Sequence, residues 1–514
     1  MKIKILIKAG LWGIAALVLS ACASEDTTEK NEQKQPEPQH VVASFTGKLP
    51  GPVRPAKSRT TATHTFHGLA KVSWTANDRI WVKATDGTWH RSEPALFLTA
   101  DHSQANFKLT SGTYGFNPEV RYVGESNNVK QVTIPEIQHQ ATLGDFSHLG
   151  ESGDCGTATA KGGGGDYEFT LQHKSAYICF YPRIQNEVLH HNVRLEKITV
   201  KFDGSGYDYL AGIFDFTYGT VRPNIFTING SEEITLNTHS APIPSSTRND
   251  TCFYVTISAS YHGLYVTFEF KDPTTNITAY VTKHWTENFE AGQIYDYTVW
   301  LDKDIKEYKF YMWDAKFNYW YNNFDGGGYP KNNTDPRWYH EGIGSFAATQ
   351  SCKDCPNANE MFWYGFKGDA HWGTSDHIFA VDGHLRKNLT GVWLKKKAKI
   401  LADEGITEEQ MKSGYPKDSP IDRRVNQGPM IADGVPSHTP VPNTIDYFFL
   451  PSISGYYYSG YLHSPDFSTG WYWSSSSNPE SSGTFSYYLD FTSDRITAYY
   501  GRKRDIGMLA VPFE

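Results

Sequence analysis

Between about residue 40 and residue 302 the chain consists of short runs whose apolar and polar residues alternate, each closed by Gly, Pro, Asn, Asp or Ser. A period of two sends successive side chains to opposite faces of an extended strand, and this region lacks the three-and-four spacing of a surface helix. Ala70-Lys-Val-Ser-Trp74, Arg79-Ile-Trp-Val-Lys83 and Ala105-Asn-Phe-Lys-Leu109 are such runs. So are Tyr167 to Leu171, Leu195 to Phe202, Tyr254 to Ser258, Leu264 to Phe270 and Tyr295 to Leu301. Half-buried strands of this kind pack sheet on sheet, so the expectation is mainly β, with two tandem β-sandwiches. Gly162 to Gly165 has no side chain to pack and separates two similar stretches of sequence. It predicts a flexible joint, with a first sandwich over 40–165 and a second over 166–302.

After Lys306 the pattern changes, and Gly and Trp become frequent. Asn357 with Glu360 is placed to cap a helix carrying Met361 and Trp363, residues 391–404 read as helical, and Thr407-Glu-Glu-Gln410 is a capping box. From Tyr447 onward short aromatic strands alternate with Ser-rich loops, so 306–514 is expected to be an α+β domain. Three domains suit a chain of 514 residues. A net charge of −8, with no long basic run, excludes the footprint of a nucleic-acid binder.

The N-terminus has the form of an export signal. Lys2, Lys4 and Lys8 precede an uncharged apolar run from Ala9 to Leu19, too short for a membrane span, which needs about 20 helical residues. Leu19-Ser-Ala-Cys22 resembles the bacterial lipobox, so 1–21 is expected to be a signal peptide cut between Ala21 and Cys22, with Cys22 carrying lipid. Ordinary secretory cleavage with Cys22 an incidental thiol is the alternative, and the tight small-residue spacing argues against it. Two acyl chains suffice for stable anchoring. Ser24-Glu25-Asp26 looks like the signal that sends some lipoproteins to the outer face of the outer membrane. Residues 22–39 are too polar to order and form a tether.

Of the remaining cysteines, Cys179 and Cys252 lie in apolar runs and read as buried thiols. Cys352 and Cys355 have no second CxxC or HxxxH partner and no βαβ context, which leaves a local disulfide ahead of zinc or redox work. Tyr456, Tyr458, Trp471 and Trp473, with Ser474 to Ser477, could stack on and hydrogen-bond a sugar. The alternative for each is an aromatic in a strand core. No HExxH, GxSxG or Walker pattern occurs, so no catalytic residue, metal or cofactor is expected. His190 and His191, adjacent on a strand, would face opposite sides and not share an ion.

Ser58-Arg59-Thr60-Thr61 followed by Val72-Ser-Trp-Thr-Ala-Asn-Asp-Arg-Ile-Trp-Val82 resembles the opening of fimbrillin-like lipoproteins of type V pili. Leu171-Gln-His-Lys-Ser-Ala176 and Ala291-Gly-Gln-Ile-Tyr295 look like marks of the second fimbrillin module. Cys352 to Met361, Phe448-Phe-Leu-Pro451, Tyr472-Trp-Ser-Ser-Ser476 and Gly507 to Phe513 are similar to a C-type-lectin-like domain appended to some fimbrillins. The resemblance implies a surface-exposed, lipid-anchored precursor in the outer membrane. Its first strand, His40 to Leu49, would be removed by an arginine-directed cut between Arg59 and Thr60, opening a groove for a donor strand from another fimbrillin subunit. A terminal domain in place of a donor strand implies a tip or accessory adhesin that meets an extracellular glycan or protein. Alternatives are a permanently anchored lipoprotein of a glycan-capture system and a surface glycan hydrolase.

Overall fold

The structure, a computed structural model, describes residues 41–49 and 73–514 apart from 141, 146, 205–208, 222–226, 246–250, 324–327, 432 and 458. The described residues are mainly β, with 42% in strands and 7% in helices. One five-stranded sheet contains β1 (Ala43–Lys48), β4 (Leu96–Phe97), β5 (Gln104–Leu109), β10 (Lys161–Gly163) and β11 (Asp166–Thr170), in the order β10-β11-β1-β5-β4. A second contains β2 (Trp81–Lys83), β3 (Trp89–Arg91), β6 (Glu119–Tyr122), β9 (Gly156–Thr159) and β12 (Gln172–His173), in the order β12-β9-β6-β2-β3. Phe45, Phe107 and Phe169 from the one and Val82, Val120 and Tyr122 from the other close on Trp74 as one core. The alternation that predicted strands is the cause, because it gives each strand one apolar face to bury.

The Gly162–Gly165 stretch is a hairpin turn, which corrects the expected joint. Lys161–Gly163 pairs antiparallel with Asp166–Thr170, and Gly162, Gly164 and Gly165 take φ of 142°, 67° and 99°. A side chain rarely enters that backbone region, and a Cβ on Gly162 would lie 2.2 Å from the Asp166 carbonyl oxygen. The strands do not divide at 165 either. β7 (Gln131–Ile134) and β8 (Ile137–His139) pair with Ala211–Asp215 and Glu233–Pro242, while Tyr167, Phe169 and Leu171 belong to the first core.

The second core lies among the sheets that hold β7, β8 and β13 (Ser175–Arg183), the last buried along its whole length. His190 and His191 sit on a one-turn helix, α1 (Leu189–Asn192), and not on a strand. The third core joins a five-stranded sheet and two three-stranded sheets to α2 (Ala358–Lys367), α3 (Lys397–Glu404) and α4 (Glu408–Ser413). Both expected capping boxes form, Asn357 with Glu360 and Thr407 with Gln410. Residues 391–395, expected to be helical, lie instead in the strand Thr390–Lys395, where their apolar side chains cross-pair with Tyr447–Pro451. The third unit docks on the second through an Asp382-Gly383 hairpin turn, whose left-handed φ values of 48° and 75° suit this residue pair. Asn192 Nδ2 donates to the Gly383 carbonyl at 2.9 Å, and the fully buried Asp272 accepts from His384 Nδ1 at 3.0 Å and Leu385 N at 2.9 Å.

Candidate functional site

The first strand lies inside its sheet, between β11 and β5. β1 runs parallel to β11, with Phe45 beside Tyr167 and Gly47 beside Phe169, and antiparallel to β5, with Phe45 opposite Phe107. It is hydrogen-bonded along both edges, and its ends are held as well: Ser44 N donates to Gly165 O at 2.8 Å, Leu49 N to Ser103 O at 3.1 Å, and Leu171 N to Lys48 O at 3.0 Å.

Its inward face is Ala43, Phe45, Gly47 and Leu49. Phe45, 0% exposed, stacks on Tyr167 at 4.6 Å between centroids and meets Tyr114 edge-on at 5.5 Å. The Tyr167 hydroxyl donates to the Tyr114 carbonyl at 2.9 Å and fixes that pocket, and burial pushes the Tyr114 phenol up to about 12. Gly47 leaves room for nothing else, since a Cβ would stand 2.6 Å from Phe169 Cζ and 3.0 Å from Phe107 Cε2. On the outer face Asn106 Nδ2 donates to Ser44 Oγ at 2.6 Å and Thr46 Oγ1 at 3.4 Å, and Lys48 Nζ lies 2.9 Å from Glu168. Taking β1 away would bare two strand edges and an aromatic trough, which is the geometry of a strand-accepting groove.

The residues predicted from sequence separate into four groups. Ala21, Cys22, Arg59, Thr60 and Tyr458 lie outside the described residues. Trp471 and Trp473 are core residues, which corrects their assignment as sugar platforms: they are 2% and 0% exposed and have no free ring face. Arg502 covers Trp471 at 3.8 Å, His463 stacks on it at 4.2 Å, and Trp473 Nε1 donates to the Tyr311 carbonyl at 2.9 Å. Tyr456 is half-buried and donates its hydroxyl to Asp382 Oδ2 at 2.7 Å. Burial raises the Asp382 carboxyl to about 7, against the lowering effect of that hydrogen bond. The structure thus does not bring Tyr456, Trp471 and Trp473 together on an open surface.

Cys352 and Cys355 are buried thiols, so the expected bond between them is not formed here. The neighbouring Cys352 is the main cause that drives the Cys355 thiol upward, with burial second. Cys352 is held in place by Asp314, whose amide donates to Cys352 Sγ and whose Oδ1 accepts from Cys352 N, both at 3.2 Å. Among the described residues no group of three His, Cys, Asp or Glu side chains could hold a metal ion. Sequence reasoning passed over Phe107, Tyr114, Tyr167 and Phe169, which line the slot from distant segments. The available signal was Gly47, because an interior strand glycine often marks a close approach.

No family model matches this chain, and no curated protein does. Among solved structures, a candidate cell adhesion protein from Bacteroides uniformis is 15% identical, over 51% of this chain and 94% of its own, with a TM-score of 0.30. A fimbrial assembly protein from Parabacteroides distasonis is 13% identical over 50% and 89%, with a TM-score of 0.23. The fimbrial anchor protein Mfa2 from Porphyromonas gingivalis is 10% identical over 49% and 99%, with a TM-score of 0.21. Likeness at this level establishes neither the fold nor the function of this chain.

Proposed function

We propose that this chain is a cell-surface subunit of fimbrial type, at the tip or in an accessory position, that takes up a donor strand after losing its own first strand. The observation that carries this reading is the place of β1. A strand buried on its inner face and paired on both edges leads, within a dozen residues, to Arg54 and Arg59. Arg54 precedes Pro55, a poor protease bond, so the cut falls between Arg59 and Thr60. That cut also detaches Cys22 and its lipid, so the outer-membrane anchor serves delivery and the mature chain belongs to the fimbria.

The 306–514 domain, standing where a polymerising pilin would carry its own donor strand, supports acceptance without donation. Phe513 is buried in the third core, and Glu514 Oε1 accepts from Tyr364 Oη at 2.7 Å and Lys397 N at 2.5 Å. Releasing this segment as a donor would forfeit that packing. The 306–514 region then faces an extracellular glycan or protein with surfaces other than Trp471 and Trp473. No catalysis is required.

The test is to treat the purified precursor with an arginine-specific protease and sequence the new N-terminus. A fragment beginning at Thr60 that then associates with a partner pilin is the expected result. A chain that resists the protease and does not associate would leave it a permanently anchored lipoprotein, and one that is cut and never associates would overturn the strand-uptake reading.

A further inference from the structure

We infer that the slot under β1 reads its occupant by a steric rule: an entering strand of a second polypeptide must present an aromatic residue and, two positions later, a glycine. This rests on the reading that β1 leaves; the rule itself comes from the walls of the slot. Four inward positions are available, at 43, 45, 47 and 49, and they differ in what they admit.

Position 45 is a cavity shaped for a ring. Tyr167 lies nearly parallel to Phe45, at 8° and 4.6 Å, and Tyr114 closes it edge-on at 82°. An aliphatic occupant would lose the stacked pair, and alanine would leave a void. Position 47 is the reverse. Phe169, the residue of β11 paired with Gly47, lays its ring over the glycine, and Phe107 approaches from β5. Trp74 packs edge-on with both rings, at 4.9 Å from Phe107 and 6.4 Å from Phe169. They cannot swing away to admit a Cβ at 2.6 Å without disturbing the core.

The two positions together set register. A strand shifted by two residues keeps its apolar face inward, so alternation alone does not forbid the slip. Such a shift would drive the aromatic into the space occupied by Phe169 and Phe107, so the glycine position acts as a stop. On the outer side Asn106 offers its amide to hydroxyls at positions 44 and 46, and Glu168 favours a basic residue at 48. The partner class is therefore a strand of the form small, hydroxyl, aromatic, hydroxyl, glycine, basic, aliphatic, running parallel to β11.

The experiment uses the full chain after arginine-specific cleavage, with fluorescent peptides of residues 41–49 as probes and the uncut chain as control. Uptake is read by fluorescence anisotropy. The native peptide should enter the cut chain and not the uncut one. Peptides carrying Gly47→Val or Phe45→Ala should each enter at least about tenfold more weakly, as overpacking or a cavity predicts. If the native peptide fails to enter the cut chain, the strand-exchange reading itself falls. If it enters and the Gly47→Val peptide enters equally well, that reading stands and the steric rule is wrong.

Discussion

Phe45→Ala in the intact chain tests whether the first strand is structural or merely adherent. The side chain is wholly buried, stacked on Tyr167 and edge-on to Tyr114, with Phe107 opposite across the antiparallel pair. Truncating a buried phenylalanine removes its transfer free energy and leaves a cavity. The cost is about 3–5 kcal/mol, of which the aromatic pairing accounts for about 0.5–1.5 kcal/mol. With a urea slope of about 2 kcal/mol per molar, the transition of the first core should move down by about 2 M. Trp74 makes that transition visible. It is buried, lies 4.9 Å from Phe107 and 5.5 Å from Tyr122, and its fluorescence change can be assigned by repeating the titration with Trp74→Phe. Thr46→Ala, on the outer face of the same strand, loses only a 3.4 Å contact to Asn106 and should move the midpoint by less than about 0.5 M. A Phe45→Ala shift no larger than that of Thr46→Ala would refute the inward packing of β1.

Trp473→Ala should lower the stability of the third core by about 3–5 kcal/mol, because a fully buried ring and its bond to the Tyr311 carbonyl are lost together. Unchanged thermal unfolding with abolished glycan binding would restore Trp473 as a ligand platform. Asp382→Asn should flatten the pH dependence of the same unit. The folded carboxyl titrates at about 7 against a reference of 3.8, so the folded state holds the proton more tightly. Its contribution is therefore complete below about pH 4 and is lost as pH rises towards 7, by at most about 4 kcal/mol at 1.36 kcal/mol per unit. The wild-type Tm should fall relative to the Asn variant between pH 4 and 8, and a difference independent of pH would contradict this.

Several strands were legible in the sequence because alternation is local. Arg194–Phe202, Phe253–Ser258 and Ile294–Trp300 each fall within a residue or so of the expected run. Both capping boxes were legible for the same reason, being spacings of three residues. Sheet partnership was not, since β7 and β8 join strands about eighty to one hundred residues further on, a pairing that depends on the whole fold. Gly162 to Gly165 read as a linker because glycine serves both flexibility and left-handed turns, and only pairing partners decide between them. Trp471 and Trp473 were ambiguous for a similar reason. A strand aromatic has the same local sequence whether its ring meets solvent or Arg502, and the covering residues come from elsewhere in the chain. The slot was half legible. Gly47 was conspicuous in an alternating strand, but the rings of Phe107 and Phe169 that give it meaning lie on β5 and β11.

The central claim is that β1 must leave for this subunit to assemble. The most direct measurement locks it in place with Ser44→Cys and Lys108→Cys, which face each other across β1 and β5. Cells producing the locked chain are compared with wild type, with and without a membrane-impermeant reductant, for the share of the chain recovered in sheared surface filaments. The account predicts that the locked chain stays out of the filaments even when cut between Arg59 and Thr60, and enters once the disulfide is reduced. Equal incorporation of locked and wild-type chains under oxidising conditions would contradict it.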